Sequence, residues 1–499
     1  MACDSGVRGG GRGWLSRTLG AALAAVLTLT GCSRPGEDTP DVIVLHSGRL
    51  RGNVYPLSLQ SLAPLQHYQY LAGYVRKVRE EAAKTGARVL LVDLGDSLTG
   101  SFAAHVTGSE NMVTFFNETG YDAVFLSNLD HAVQPSTLEK IRARVLNPFA
   151  DADNQPATKG SAFGTEIDLA GLPVYLLANF YGDTGPDKYP ERFPAQFGTT
   201  GAAVVPVRDY GRVLASLGER PRDSLTLLSW MKFESPTRPP EAFLQQLQSL
   251  GVNAILAHRI YGGNERDVWT SSGFLDWQPP VSVNILRNNG GFALARMDLK
   301  RTDRGWKVLR HQLLPMTANT APADGKVVEG IARFAPAIAA ADAPLGDLPD
   351  TVGEGTILRI FLGALAAVPG TDAAVYSRHS IRTDWPAGEL RASEVFNSLP
   401  WTTPIIQISL TREQLATVAR ELDLVVLERE DLPSGETLTV TTSQFFGRLI
   451  VAKLGLPPDA LRVTGGNSEF DHFIAYLKTR PDLSGSVPAG WKQTAEPAP

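Results

Sequence analysis

Between Asp41 and Ala257 the chain alternates short apolar runs with amphipathic segments. The runs are Asp41 to His46 (DVIVLH), Val89 to Asp93 (VLLVD), Ala123 to Leu126 (AVFL), Val174 to Ala178, Leu225 to Ser229 and Ala254 to Ala257. Each has the length of a buried strand, and polar or glycine residues follow it. Leu71, Tyr74, Val75 and Val78 recur at helical spacing within His67 to Lys84, with Gly86 as a stop. Glu110 to Thr119 reads as a second helix, stopped at Gly120. This alternation predicts α/β layering. At 499 residues the chain has room for two or three domains.

Composition narrows the function classes. With 43% hydrophobic and 20% charged residues the chain can bury a core, which excludes global disorder. A formal net charge of −5 is wrong for a protein that coats nucleic acid through counterion release. The only cysteines are Cys3 and Cys32, which excludes a disulfide scaffold and a thiolate zinc cage.

The N-terminus reads as a processing segment. Arg8, Arg12 and Arg17 form a basic stretch ahead of an apolar run, Leu19 to Thr30. That run is too short to span a bilayer, which takes about 20 residues. It ends Leu29-Thr30-Gly31-Cys32, which resembles a bacterial lipobox. The resemblance implies removal of residues 1–31 and diacylation of Cys32, with membrane lipid as a partner. Absence of Asp after Cys32 resembles outer-membrane sorting, so a lipid-anchored place in the cell envelope is expected. Residues 32–40 read as a tether. Residues 41–315 are expected to form the first domain, 316–345 a helical connection, 346–482 a second domain and 483–499 a frayed tail.

Polar residues recur at the ends of the apolar runs. They include Arg49-Leu50-Arg51-Gly52, Gly95-Asp96, Ser127-Asn128-Leu129-Asp130, Ser229-Trp230 and His258-Arg259-Ile260-Tyr261. In open α/β sheets ligands gather at the C-terminal ends of strands, so this set is a candidate site. Its order resembles the 5′-nucleotidase family of calcineurin-like metallophosphoesterases, over roughly residues 41–480. In the later half the resemblance rests on Ser380-Ile381-Arg382, Pro386-Ala387-Gly388-Glu389, Leu399-Pro400-Trp401 and Ser443-Gln444-Phe445-Phe446-Gly447.

The resemblance implies a mixed α/β fold. A four-layer metallophosphoesterase-like sandwich would be joined by a linker helix to a smaller α/β domain that binds the nucleotide. It also implies two divalent metals, but the ligand letters depart from the family's pattern. Asp-x-His-Gly is replaced by Arg49 to Gly52, Gly-Asn-His-Asp by Ser127 to Asp130, Ser-His by Ser229-Trp230, and Gly-His-x-His by His258 to Tyr261. Of the metal-ligand positions, Asp96 and Asn128 are kept. Arginine stands at three others, Arg49, Arg51 and Arg259. No metal is therefore expected. The arginines are expected to converge on Asp96 and Asp130, as either a closed salt-bridge cluster or an anion site. Arg382, Trp401 and Phe445 match the family's phosphate-binding and base-stacking residues, so phosphate or a nucleotide is a possible ligand. The Gly-Gly-Asp-Gly signature is missing, with Arg448 and Leu449 following Gly447.

Two functions follow as expectations. One is a non-catalytic binding or scaffold lipoprotein. The other is a phosphomonoester hydrolase with an altered site built on Asp96, Asn128 and Asp130. Plainer roles exist for the same residues: Asp96 as a turn cap, Asn128 and Asp130 as turn formers, Arg49 and Arg51 as solvated surface, Trp230 as core, and His46 and His131 as hydrogen-bonded loop residues. The protein partner, if any, is not legible.

Overall fold

The computed structural model describes residues 39–62, 67–127, 129–130, 133–151, 153–179, 205–207, 209–233, 241–260, 274–286, 292–432, 437–479 and 488–495. The leader and Cys32 lie outside these residues, as do Asn128 and His131.

Strand β1 (Val42–Ser47) lies at the centre of a six-stranded sheet. On one side it pairs in parallel with β2 (Arg88–Asp93), followed by β3 (Ala123–Phe125) and β4 (Arg144–Leu146). On the other side it pairs antiparallel with Ala293–Thr302, itself paired with Gly305–Pro315. A second six-stranded sheet runs Phe274–Leu275, Val281–Leu286, Ala254–Ile260, Leu225–Phe233, Pro173–Leu177, Gly164–Asp168.

Strand periodicity sorts the side chains into layers. Val42, Val44, Leu90 and Val92 face Val174, Leu176, Leu225 and Leu256, forming the core between the two sheets. The alternate residues Ile43, Leu45 and Leu91 face outward. They pack with Leu71, Val75 and Val78 of α1 (Tyr68–Thr85) and with Phe115 and Phe116 of α3 (Glu110–Thr119). On the far side Tyr175, Leu228 and Trp230 are covered by Leu244 and Leu247 of the helix Glu241–Ser249. The result is helix, sheet, sheet, helix, as expected. Trp230 is core, 5.9 Å from Phe243 in an edge-on contact. His46 is not a loop residue; it lies inside β1, fully buried, with Nε2 2.7 Å from Ser282 Oγ.

A third six-stranded sheet carries the later half, in the order Arg462–Ser468, Pro404–Leu410, Leu438–Ser443, Ala373–Ser377, Leu424–Arg429, Trp491–Ala495. Helix Glu354–Ala366 closes its core, with Phe361 4.6 Å from Tyr376 and 5.0 Å from Phe473. Two expectations need correction. The connection contains two helices, Gly325–Ala332 and Ala335–Ala341, rather than one. Pro336 lacks an N–H and its ring meets the carbonyl four residues back, so the first helix cannot run on. The tail is not frayed throughout: Trp491–Ala495 pairs antiparallel with Leu424–Arg429 as an edge strand.

Candidate functional site

Ser47 and Asp93 are register partners at the C-terminal ends of β1 and β2, so the loops that follow leave the same sheet edge. Ser47 Oγ donates to Asp93 Oδ2 at 2.7 Å and lies 2.8 Å from Tyr121 Oη. The Gly95 amide donates to Asp93 Oδ1 at 2.9 Å, which turns the second loop. Burial pushes the Asp93 carboxyl up to about 7, against the hydrogen bonds it accepts.

The two loops are then zipped together. Arg49 N donates to Gly95 O at 2.7 Å, Arg51 N to Asp96 O at 3.1 Å and Gly52 N to Ser97 O at 2.7 Å. Ser101, the N-cap of α2 (Phe102–Thr107), donates to Gly52 O at 2.5 Å. Gly52 has φ 69°, and a Cβ there would lie 2.5 Å from Ala104 Cβ, so only glycine fits. Arg49, Arg51 and Asp96 also hold left-handed φ values of 55°, 49° and 56°. Such backbone costs on the order of 1–3 kcal/mol per residue and concentrates at functional sites.

This geometry brings Arg49 and Arg51 to Asp96. Each Nε lies 3.5 Å from Asp96 Oδ2, and the three side chains are 16%, 27% and 2% exposed. At that distance the contacts are ionic and not hydrogen bonds. Both Asp96 Oδ2 and Arg51 Nε are buried without a hydrogen-bond partner among the described residues. The arginines are therefore not solvated surface, and Asp96 is more than a turn cap.

Asp130 takes a different role from the expected one. It is fully buried and accepts amides from Asp96 (2.7 Å), Ser97 (3.2 Å), Leu98 (2.9 Å) and Ser127 (2.9 Å). It is a staple for the loop that carries Asp96, and no guanidinium pairs with it among the described residues. Burial, and then the neighbouring Asp96, push its carboxyl up to about 6 while the amides oppose the rise. Arg259 lies on the strand Ala254–Ile260, but its side chain falls outside the described residues.

The site opens into a cleft of about 550 Å³ whose lining includes Arg51, Asp96, Arg382, Trp401, Phe445 and Glu469. Residues from the two halves of the chain thus share one cavity. The Arg382 guanidinium lies over the Trp401 ring, 4.7 Å from its centroid. Burial, then the Arg51 charge, lower Arg382 to about 10, with Asp96 opposing and Arg49 adding. Arg382 is therefore a third guanidinium at this cluster, which the sequence alone assigned to a separate subsite. Phe445 packs edge-on to Phe446 at 5.1 Å. His105 of α2 and Phe396 also line the cleft; the His105 ring stacks on Phe396 at 5.1 Å and meets Phe470 edge-on at 5.1 Å.

Glu469 was missed by sequence reasoning. It is fully buried and accepts from Tyr376 Oη at 2.5 Å and from Thr403 Oγ1. Burial pushes its carboxyl up to about 7, against hydrogen bonds from Thr403, Tyr376 and Ser443. Its one sequence signal, an acid in the first turn of Glu469–Lys478, is shared with ordinary surface helices.

Among the described residues, no group of three or more His, Cys, Asp or Glu side chains is placed to hold a metal ion. No described helix is long and apolar enough to cross a membrane.

The layers have the two-domain architecture seen in metallophosphoesterases, a likeness of fold alone. Within that class the chain has the fold of the 5′-nucleotidases, as the resemblance implied. A 5′-nucleotidase precursor from Thermus thermophilus superposes with a TM-score of 0.59 at 14% identity, over 88% of this chain and 96% of that one. The 5′-nucleotidase of Candida albicans gives 0.60 at 12% identity, over 88% and 98%. A sulfate thiohydrolase, SoxB, of Thermus thermophilus in complex with glycerol gives 0.54 at 15%, over 89% and 96%. No protein-family model matches the chain, and no curated protein matches it by sequence.

Proposed function

We propose that this is an exported, lipid-anchored binding protein that holds an anion in the cleft, using arginines where the 5′-nucleotidase family holds metals. The observation that carries this reading is a charge imbalance. The guanidiniums of Arg49, Arg51 and Arg382 act together at Asp96, and the other carboxyl that lines the cleft among the described residues, Glu469, is pushed by burial up to about 7. Partly buried like charges repel strongly in a low-dielectric setting, and an anion between them offsets that repulsion. Guanidinium forks suit phosphate, sulfate or carboxylate groups. Trp401 and Phe445 add an aromatic wall beside that charge.

The residues present do not fit two divalent cations. A zinc ion takes about four donors and a magnesium ion about six. Here Asp96 already faces two guanidiniums, Leu129 stands at the histidine position of its motif, and Trp230 is packed in the core. The protein is therefore read as non-catalytic. Its attachment is read at Cys32, since stable anchoring takes two hydrophobic signals and a diacylated cysteine supplies both. The envelope, at the outer membrane, is its proposed location.

Calorimetric titration of the soluble domain with sodium sulfate tests the site. Binding is expected, unchanged by prior chelation, and weakened at least tenfold in Arg382→Ala. Stoichiometric transition metal, with hydrolysis of a 5′-nucleotide that is lost on chelation, would return the protein to the hydrolases. For the anchor, full-length Cys32→Ser should leave the detergent phase in phase partitioning; retention there together with acyl label would refute the assignment.

A further inference from the structure

Glu469 is a buried acid that forms no ion pair among the described residues. All of its partners are hydroxyls: Tyr376 on the strand Ala373–Ser377, Thr403 just before Pro404–Leu410, and Ser443 at the end of Leu438–Ser443. Its own backbone amide is tied to Thr403 O at 2.8 Å. The charged and titratable groups around it are few. Arg382 acts on Tyr376 from the cleft side. Asp96, Arg51 and His105 line the same cavity. On its own helix, Asp471 is engaged by Ser468 and His472 by the Ala364 carbonyl at 2.8 Å. No lysine, arginine or histidine forms an ion pair with Glu469 among the described residues.

Such a carboxylate answers to the net charge of the cavity it underlies. With the cleft empty, the hydrogen bonds from Thr403, Tyr376 and Ser443 favour the ionised form against burial. An anion seated on Arg51 and Arg382 brings negative charge into the cavity that Glu469 also lines, which favours the neutral form. Resting on the anion-binding reading above, we infer that binding in this cleft is coupled to uptake of one proton by Glu469. Glu469 is a positioning residue: it acts on the ligand through Tyr376 and Arg382. In its neutral form it presents no opposing charge, so the cleft discriminates in favour of doubly charged oxyanions as the proton is taken up.

The sign follows from linkage. The bound state holds Glu469 protonated to higher pH than the free state does. Affinity is therefore greatest at acid pH and falls as pH rises through the free-state pKa, which burial sets at about 7. One proton limits the slope to about tenfold in Kd per pH unit.

Sulfate is the probe, because it does not titrate between pH ~5.5 and ~8.5. Its Kd, measured by calorimetry across that range, is expected to rise about tenfold from pH ~6 to pH ~8.5. In Glu469→Gln the Kd should stay flat within about twofold. Tyr376→Phe keeps the carboxyl and removes a donor to its ionised form, so it should move the midpoint upward. A sulfate profile equally steep in Glu469→Gln overturns the coupling while leaving the anion site standing. Absence of sulfate binding by the parent at every pH, or binding indifferent to Arg382→Ala, overturns both.

Discussion

On the proposed reading, Asp96 opposes the anion it helps to place. Its carboxylate holds the Arg49 and Arg51 side chains at the cleft and at the same time repels any anion seated there. Asp96→Asn separates the two effects. Asparagine tolerates the 56° φ at least as well as aspartate, so the loop should keep its path. The repelling charge disappears, and at an effective dielectric near 20 a unit charge ~8 Å away is worth about 2 kcal/mol. Sulfate affinity at low salt should therefore rise on the order of tenfold in this variant, read by the same titration. Weaker binding with an intact fold would mean that the carboxylate orients the arginines more than it repels. How much of this was legible depended on the residue. Asp96 and its two arginines were visible because each follows an apolar run, at the end of a parallel strand. Arg382 was legible as a candidate but not as a member of the same cluster, since only packing of the two halves brings it there. The Asp130 staple depends on four backbone amides, which no side-chain pattern records.

Helices and strands were read where local chemistry decides them. Helix α3 spans Glu110–Thr119 as expected, because Gly120 at φ 75° takes the left-handed conformation that ends it. Helix α1 stops at Gly86, φ 74°, for the same reason. The apolar runs became strands within a few residues of their expected limits, and strand alternation sorted them into layers. Helix α2 was not read. Its six residues carry too little periodicity, and its start depends on Ser101 capping Ala104 N at 3.1 Å while bonding Gly52 across the site. Trp491–Ala495 escaped for a related reason: an edge strand rich in polar residues looks like a tail until a partner strand is in place.

Across the whole molecule, buried titratable groups pull stability in two directions. Asp93, Asp130 and Glu469 have raised pKa values, to about 7, 6 and 7. The folded state therefore holds more protons than the unfolded chain above pH ~4, and stability falls as pH climbs towards ~7. His46 has a pKa lowered by burial, then by the neighbouring His311 and His258, and His105 is lowered by burial. For these the unfolded chain binds the extra proton, so stability falls as pH drops below about 6.5. Below pH ~6.5 the two sets oppose each other, and above it only the acids act, so melting temperature should decline from pH ~6.5 towards ~7.5. In Glu469→Gln part of the alkaline decline should vanish. A melting temperature that climbs steadily from pH ~5 to pH ~8 would contradict this balance.

The loop that carries Arg49 and Arg51 also bears on ancestry. Left-handed backbone is adopted several-fold more readily by aspartate, asparagine and histidine than by most other residues. The family motif that Arg49 to Gly52 resembles places Asp and His at these two positions, and the 55° and 49° φ values suit those residues better than arginine. On the proposed reading, the conformation is older than its occupants. On that reading the arginines inhabit a turn whose backbone suits aspartate and histidine better, and they bear its strain for the charge they bring to the cleft.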